Sequence, residues 1–440
     1  MEAQPDAIVV DAGSTDAGPH KLGAGIAIVS RMALRQDLNR LMLGARKLHI
    51  PLIIGSAGGS GARKHTLWCM EVIEDICHEI GWFPHIEIIW ADIDDREILA
   101  GLNEGRVEKM SPNVSDLTPE TLARTNGVVA QMGAEPIIEA LQTGAEIVLC
   151  GRAYDPAPFA ALAMYRGHDP ALGYHMGKIL ECGALCCEPG TTKDCMLGLL
   201  EDDGFTVWSP NPARKCTPVS VAAHTFYEKS HPYELPGPGM MLDLHDCSFV
   251  DAGDGKVRVT GSQIRYMPYT VKLEGARRIA FRTFVIAGIR DPLLIAKLDE
   301  VERGVEQSVR LSYGDIPPER YHIRFVHYGI DGVMGPLEPD RTVPHEVGLM
   351  FEVIADTQEL ADAVCASVRS TYLHYGYEGR KSTAGNLAFP FAPSDVSFGP
   401  VYEFSVYHLL SVDSPTRLFP MERLSWEKDA QPPAEERQER

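Results

Sequence analysis

Through the first third of the chain, short apolar runs alternate with stretches whose apolar residues recur at helical spacing. The runs AIVVD (7–11), PLII (51–54), HIEIIWADI (85–93) and AEIVLC (145–150) predict strands. Helices are predicted over 22–48, 63–80, 95–105 and 134–143. A strand, a glycine-rich turn and a helix, repeated, predict a Rossmann-like α/β domain with a parallel sheet and helices on both faces. Further on, proline-rich stretches without periodicity, FTVWSPNPARKCTP and HPYELPGPG, interrupt the pattern. The order then changes to strand 277–289, helix 291–314, strand 322–330, strand 346–355, helix 357–376 and strand 401–410. That βαββαβ order predicts a ferredoxin-like α+β domain. The expected organisation is an α/β ligand-binding domain at 1–205, a Pro-rich junction with strands at 206–276, the ferredoxin-like domain at 277–425, and a disordered tail at 426–440.

Ligands of open parallel sheets sit beyond the carboxyl ends of the strands. Those ends carry three loops: DAGSTDAGPHKLG, GSAGGSGA and GRAYDPAPF. The first supplies Asp11, Ser14, Asp16 and Lys21 as candidate ligands or acids. A capped helix N-terminus would account for the same residue types. The second supplies Ser56, Gly58, Gly59 and Ser60. Its backbone N–H groups and the following helix predict a cradle for a carboxylate or phosphate. It matches neither the P-loop nor the dinucleotide fingerprint. The third supplies Arg152, suited to bidentate carboxylate binding, and Asp155, an acid, base or orienting group. A buried Arg–Asp pair holding the loop is the structural alternative. In GYHMGKILECG, Lys178, Glu181 and Cys182 lie within one turn, and Glu181 in an apolar setting suits a general acid. His224, His231 and His245 match no metal spacing, and the loop with Asn386, Ser394 and Asp395 points to no specific chemistry.

Length and composition then narrow the class. The chain has 440 residues, about two to three domains, with 45% apolar and 23% charged residues. No apolar run is long enough to span a membrane, and no basic segment followed by an apolar stretch opens the chain. Sixty-one acidic residues against 41 basic ones give a net charge of −20, which disfavours nucleic acid and anionic membranes as partners. Ten cysteines without CxxC or zinc-finger spacing point to reduced thiols and a cytoplasmic location. Cys186 and Cys187 are adjacent and cannot form an ordinary structural disulfide with each other. No cofactor fingerprint and no metal ligand set is recognisable, although a divalent metal is compatible with the acidic candidates.

Taken together, DAGSTDAG, GSAGGSGA, GAEPIIEALQTGAEIVLCGRAYD, GYHMGKILECG and CTPVSVAAHTFYEKSHPYEL resemble the acyclic terpene utilisation (AtuA) family. In that resemblance Asp11, Asp16, Ser56, Gly58, Gly59, Glu135, Arg152, Asp155, Glu181, Cys182 and Gly183 occupy motif positions. It implies catabolism of branched acids, often as CoA thioesters, by a hydration or lyase step. Asp16, Asp155 and Glu181 would be the catalytic groups. Asp11, Ser14, Lys21, Ser56, Gly58, Gly59, Ser60, Arg152 and Cys182 would contact a small anionic substrate. Two departures bear on this. The His-Ala-Arg-Ser-Gly-Asp-Lys-Gly segment found in or beside several relatives is not in this sequence, which implies a small partner subunit. Tyr154 stands where relatives have a smaller residue, which implies a different substrate. A homo-oligomer is expected from the ferredoxin-like half. The alternatives are a non-catalytic or incomplete subunit of a heteromeric complex, and a phosphotransferase built on DAGST. The second is disfavoured because that phosphate loop opens a β-hairpin, whereas a helix is predicted here.

Overall fold

The computed structural model describes residues 3–13, 18–227, 229–340 and 342–426. Asp16, Ser14 and most of the tail predicted at 426–440 lie outside the described residues. The chain divides into two compact units, Met1–Arg277 with Phe404–Arg440, and Arg278–Glu403. It passes from the first to the second within the strand Thr270–Ile289 and returns within Asp395–Ser411.

The first unit contains the expected parallel sheet, with strands in the order Ile8–Asp11, Leu52–Gly55, Ile147–Cys150, Ile86–Ile89 and an antiparallel edge strand Met421–Arg423. The central strands read LIIG, IVLC and IEII and are buried throughout. A nearly continuous apolar run, instead of an alternating one, is what a sheet covered on both faces requires, and the one buried charge in these strands, Glu87, lies 2.7 Å from His85 Nε2. The register pairs Asp11 with Gly55 and Ile54 with Leu149. The loops that begin at Ala12, Ser56 and Gly151 therefore leave one edge side by side.

Helix boundaries follow local signals. Arg63–Ile80 forms as the spacing predicts and stops at Gly81, whose φ is +57°. The helix expected over 22–48 is two, Gly18–Ala24 and Arg31–Leu48. Gly25 adopts a φ of +66°, and Ser30 accepts a bond from the Ala33 N–H to start the second. The stretch 85–93 is likewise divided, because Asp92–Ile93 turns away to pair with Val128–Ala130. The proline-rich region lies in the first unit and forms antiparallel pieces. One is the sheet Ser248–Gly253, Lys256–Thr260, Gly204–Trp208, Leu197–Glu201; another is the two-stranded ladder of Cys187–Glu188 with Lys215–Cys216. Trp426 is packed, its indole N–H donating to the Pro84 carbonyl.

In the second unit the antiparallel sheet runs Tyr321–Tyr328, Val347–Ala355, Thr270–Ile289, Asp395–Ser411. Two helices cover it. Leu298–Ser312 buries Val301, Val305 and Val309, and Gln358–His374 buries Leu360, Val364, Val368 and Tyr372. These are the i, i+4 stripes that an amphipathic helix presents to a sheet. The architecture is thus mixed α/β, with one parallel sheet and several antiparallel ones. Among the described residues, no helix is long and apolar enough to cross a membrane.

Gly61 ties the second loop to the third. Its φ is +61°, and a Cβ there would lie 2.1 Å from the Arg152 nitrogen. Gly61→Ala is expected to cost about 1–3 kcal/mol for the clash, plus about 1 kcal/mol for the backbone. Gly81→Ala, with a similar φ but nothing among the described residues within 4 Å of its Cβ, should lose only the smaller part. Urea denaturation of both variants checks this; equal losses would contradict it.

Candidate functional site

Arg152 follows the strand Ile147–Cys150 and is only 2% exposed. A guanidinium cannot shed its charge, so its burial requires acceptors. Its Nε donates to Glu274 at 2.8 Å, and its Nη1 donates to Ser56 Oγ at 3.1 Å and to Asp155 at 3.3 Å. Glu274, on the strand Thr270–Ile289, also accepts from Gln131 at 3.1 Å and pairs with Lys272 at 2.9 Å. Burial works to raise the Glu274 pKa, but the charges of Arg152 and Lys272 overcome it and hold the carboxyl down at about 2. Ser56 is fully buried with a φ of +51°; its hydroxyl also bonds both the N–H and the carbonyl of Ala153.

Around this anchor three carboxylates converge. One oxygen from each of Asp11, Asp155 and Glu181 lies within 4.8 Å of the others. Asp11 ends the first strand and accepts the Gly13 N–H at 3.0 Å. Glu181 caps the helix Pro170–Leu180, where it accepts from the Lys178 ammonium one turn back and from the Cys182 thiol at 3.3 Å. Burial, with the Asp155 charge behind it, pushes the Asp11 carboxyl well above the ordinary aspartate value. Burial also raises Glu181, opposed by Lys178 and reinforced by Asp155. Burial works against the charge on Lys178, but Glu181 outweighs it and the ammonium is stabilised. Asp155 is more open than Glu181, their side chains 28% and 4% exposed.

The cluster can act in two ways. Burial and like charge make the Asp11 and Glu181 carboxyls hold their protons more tightly than ordinary carboxyls do, the direction a general acid needs. Three convergent carboxylate oxygens are also the donor set of a hard divalent cation. Tyr154 adds a phenol whose oxygen is buried without a hydrogen-bond partner among the described residues and whose ionisation is suppressed by burial.

The structure brings Asp11, Asp155, Glu181, Arg152, Ser56 and Cys182 together. Asp16 and Ser14 are not described. Lys21 lies in the last turn of Gly18–Ala24, and among the described residues the trio's hydrogen bonds and ion pairs include neither Lys21 nor Ser60. In the glycine loop, the N–H groups of Ser56, Ala57, Gly59 and Gly61 donate to Gly151, Cys150, Ser56 and Ala57 carbonyls. Those four amides serve the fold, and Gly58 and Gly59 hold φ values of +66° and +106° in this turn. Sequence reasoning assigned no role to Lys178 and missed Lys272 and Glu274. The only local sign of the latter two was a pair of opposite charges two residues apart in an apolar strand, VKLEGA.

Two substitutions test the electrostatics. Glu274→Gln leaves the Arg152 charge buried and short of a partner, with an expected cost of about 3–5 kcal/mol. Because the Glu274 pKa is depressed when folded, its contribution is present above the ordinary value of 4.5 and is lost as pH falls toward about 2. The gap between wild type and variant in chemical denaturation should narrow over that range. Asp11→Asn has the opposite sign. A raised carboxyl favours the fold at low pH and strains it once ionised, so the variant should melt above wild type at neutral pH. The margin should grow as pH rises from about 4, each ~1 kcal/mol appearing as about 2–4 °C. A lower melting point at every pH would contradict this.

No curated protein and no solved structure matches the chain. A family model, described as acyclic terpene utilisation family protein AtuA, matches residues 34–390. Arg152, Asp155, Lys178, Glu181 and Glu274 fall within that span, and Asp11 precedes it. With most of its length matched, the chain belongs to the AtuA family.

Proposed function

We propose that the protein is a catabolic hydro-lyase acting on a small branched carboxylic acid or its CoA thioester. The observation that supports this most directly is the convergence of Asp11, Asp155 and Glu181 beside Arg152 and Lys178. Hydration or dehydration next to a carbonyl needs a base for the α-proton and an acid for the departing hydroxide. Asp155, more exposed than Glu181, suits the base. Glu181, with its raised pKa and Lys178 beside it, suits the acid that protonates the leaving oxygen. Arg152 supplies positive potential for an anionic substrate or enolate, held in place by Glu274. Asp16 remains a catalytic candidate on sequence alone, and the Tyr154 ring fits a role in substrate selection.

A divalent cation is the second reading, favoured by the mutual approach of the three carboxylate oxygens. Asp11, Asp155 and Glu181 would hold it, and it would polarise the substrate carbonyl. The same proposal takes the first unit as Rossmann-like, the second as ferredoxin-like, and the protein as a cytoplasmic homo-oligomer working alone or with a small partner subunit.

The test begins with thermal-shift titration against branched hydroxy acids, their CoA thioesters, ATP and divalent metals. Ligand at about 100 times its dissociation constant adds about 2.7 kcal/mol. Turnover of the stabilising acid should fall about 10²–10⁴-fold in Glu181→Gln and Asp155→Asn, assayed at temperatures where circular dichroism shows each variant folded, since Glu181→Gln also removes the partner of the buried Lys178. Stabilisation by ATP alone would revive the phosphotransferase reading, and stabilisation without turnover would favour the non-catalytic subunit.

A further inference from the structure

A second chemical cluster lies in the first unit, built of sulfur and distinct from the carboxylates. The ladder of Cys187–Glu188 with Lys215–Cys216 places Cys187 directly opposite Cys216, their sulfurs 3.4 Å apart. Cys186 ends the preceding 3-10 turn, Gly183–Cys186. One sulfur from each of Cys186, Cys187 and Cys216 lies within 4.8 Å of the others, and all three residues are at most 3% exposed. The Met196 thioether stands 3.5 Å from the Cys187 sulfur. Four sulfurs from three separate segments therefore meet.

Their supports are firm. The Cys216 N–H donates to the Gly255 carbonyl at 3.0 Å, and Ser220 Oγ donates to the Cys186 carbonyl at 2.7 Å. Ser220 also completes the capping box that starts the helix Pro218–Thr225. The surrounding core, with Met176, Ile179, Phe205 and Val221, is apolar. An open depression lined in part by Leu185, Ser220 and His224 reaches the residues next to Cys186.

We propose that Cys186, Cys187 and Cys216, assisted by Met196, form a binding site for one cuprous ion. Thiolate and thioether donors select soft, d¹⁰ monovalent copper, and harder divalent ions favour oxygen and imidazole. The geometry suits a three-sulfur plane. A metal–sulfur bond of about 2.3 Å sets trigonal sulfurs about 4 Å apart, a span these three reach by small rotations from positions already within 4.8 Å. Each thiol that ligates gives its proton to solvent. Zinc is the competing occupant. It would want a fourth, tetrahedral ligand, for which His224 is the local candidate, since its Nε2 is buried without a hydrogen-bond partner among the described residues. The Met196 thioether, a donor zinc rarely takes, decides for copper.

The experiment uses the full-length chain, reduced and kept anaerobic, and Cu(I) supplied as its bathocuproine disulfonate complex. Loss of the chelator's absorbance should show one equivalent withdrawn by the wild type. The Cys187→Ala/Cys216→Ala variant should bind about 100-fold more weakly or worse. Met196→Leu, which keeps the three thiols and guards against a folding failure of the double variant, should weaken binding measurably. Cys195→Ala, an exposed cysteine outside the cluster, should not. X-ray absorption at the copper edge should show a sulfur-only shell. Equal copper uptake by wild type and double variant, or none by the wild type, overturns the proposal. So does preferential Zn²⁺ uptake that is lost in His224→Ala, or a Cys187–Cys216 disulfide in protein purified without oxygen.

Discussion

The buried Arg152 guanidinium is the constraint from which the first unit's strand-end loops take their form. Removing an arginine from water costs several kcal/mol unless acceptors replace the solvent. Glu274, Ser56 and Asp155 do so, and each arrives on a different segment. Their convergence dictates small residues nearby. At Gly13 a Cβ would lie 2.8 Å from Arg152 Nη1, and at Gly61 it would collide with the Arg152 backbone. The glycines that look from sequence like an anion cradle are thus also the clearance that lets three loops close around one cation.

From this anchor follows a division of labour among the acids. Glu274 is the structural counter-ion, kept ionised by two cations. Asp11 and Glu181 crowd Asp155 on the other side, where burial and like charge lift their pKa values. A fold that holds such groups together accepts strain in exchange for raised proton affinity, a pattern typical of catalytic clusters. Lys178 and Arg152 moderate that strain without removing it.

The same unit sorts its donors by hardness. Oxygen ligands gather at the sheet edge, and sulfur ligands gather in an apolar core under the short Cys187–Cys216 ladder. Among the described residues these are two separate groups with metal-ligating potential. Their donor sets differ in kind, because polarisable thiolates and hard carboxylates do not compete for the same cation.

Much of the frame was legible in the chain itself. Continuous apolar runs identified the parallel strands, and because parallel strands end at one edge, Asp11, Ser56 and Arg152 were placed together before any contact was known. The helix Arg63–Ile80 and the paired stripes of the second unit were equally visible, since backbone geometry fixes their periods. Gly25 and Ser30 were local warnings that the helix expected over 22–48 would divide. Arg152 could be read as either a substrate ligand or a structural pair, and the sequence had no means to choose. Its main partner, Glu274, lies 122 residues away on a strand with no motif. Cys216 meets Cys187 across 29 residues that include the proline-rich stretch, so no spacing rule applied. Periodicity is a property of neighbouring peptide units and is written locally. Which charge or thiol faces which depends on strand order and register, and only the folded chain decides those.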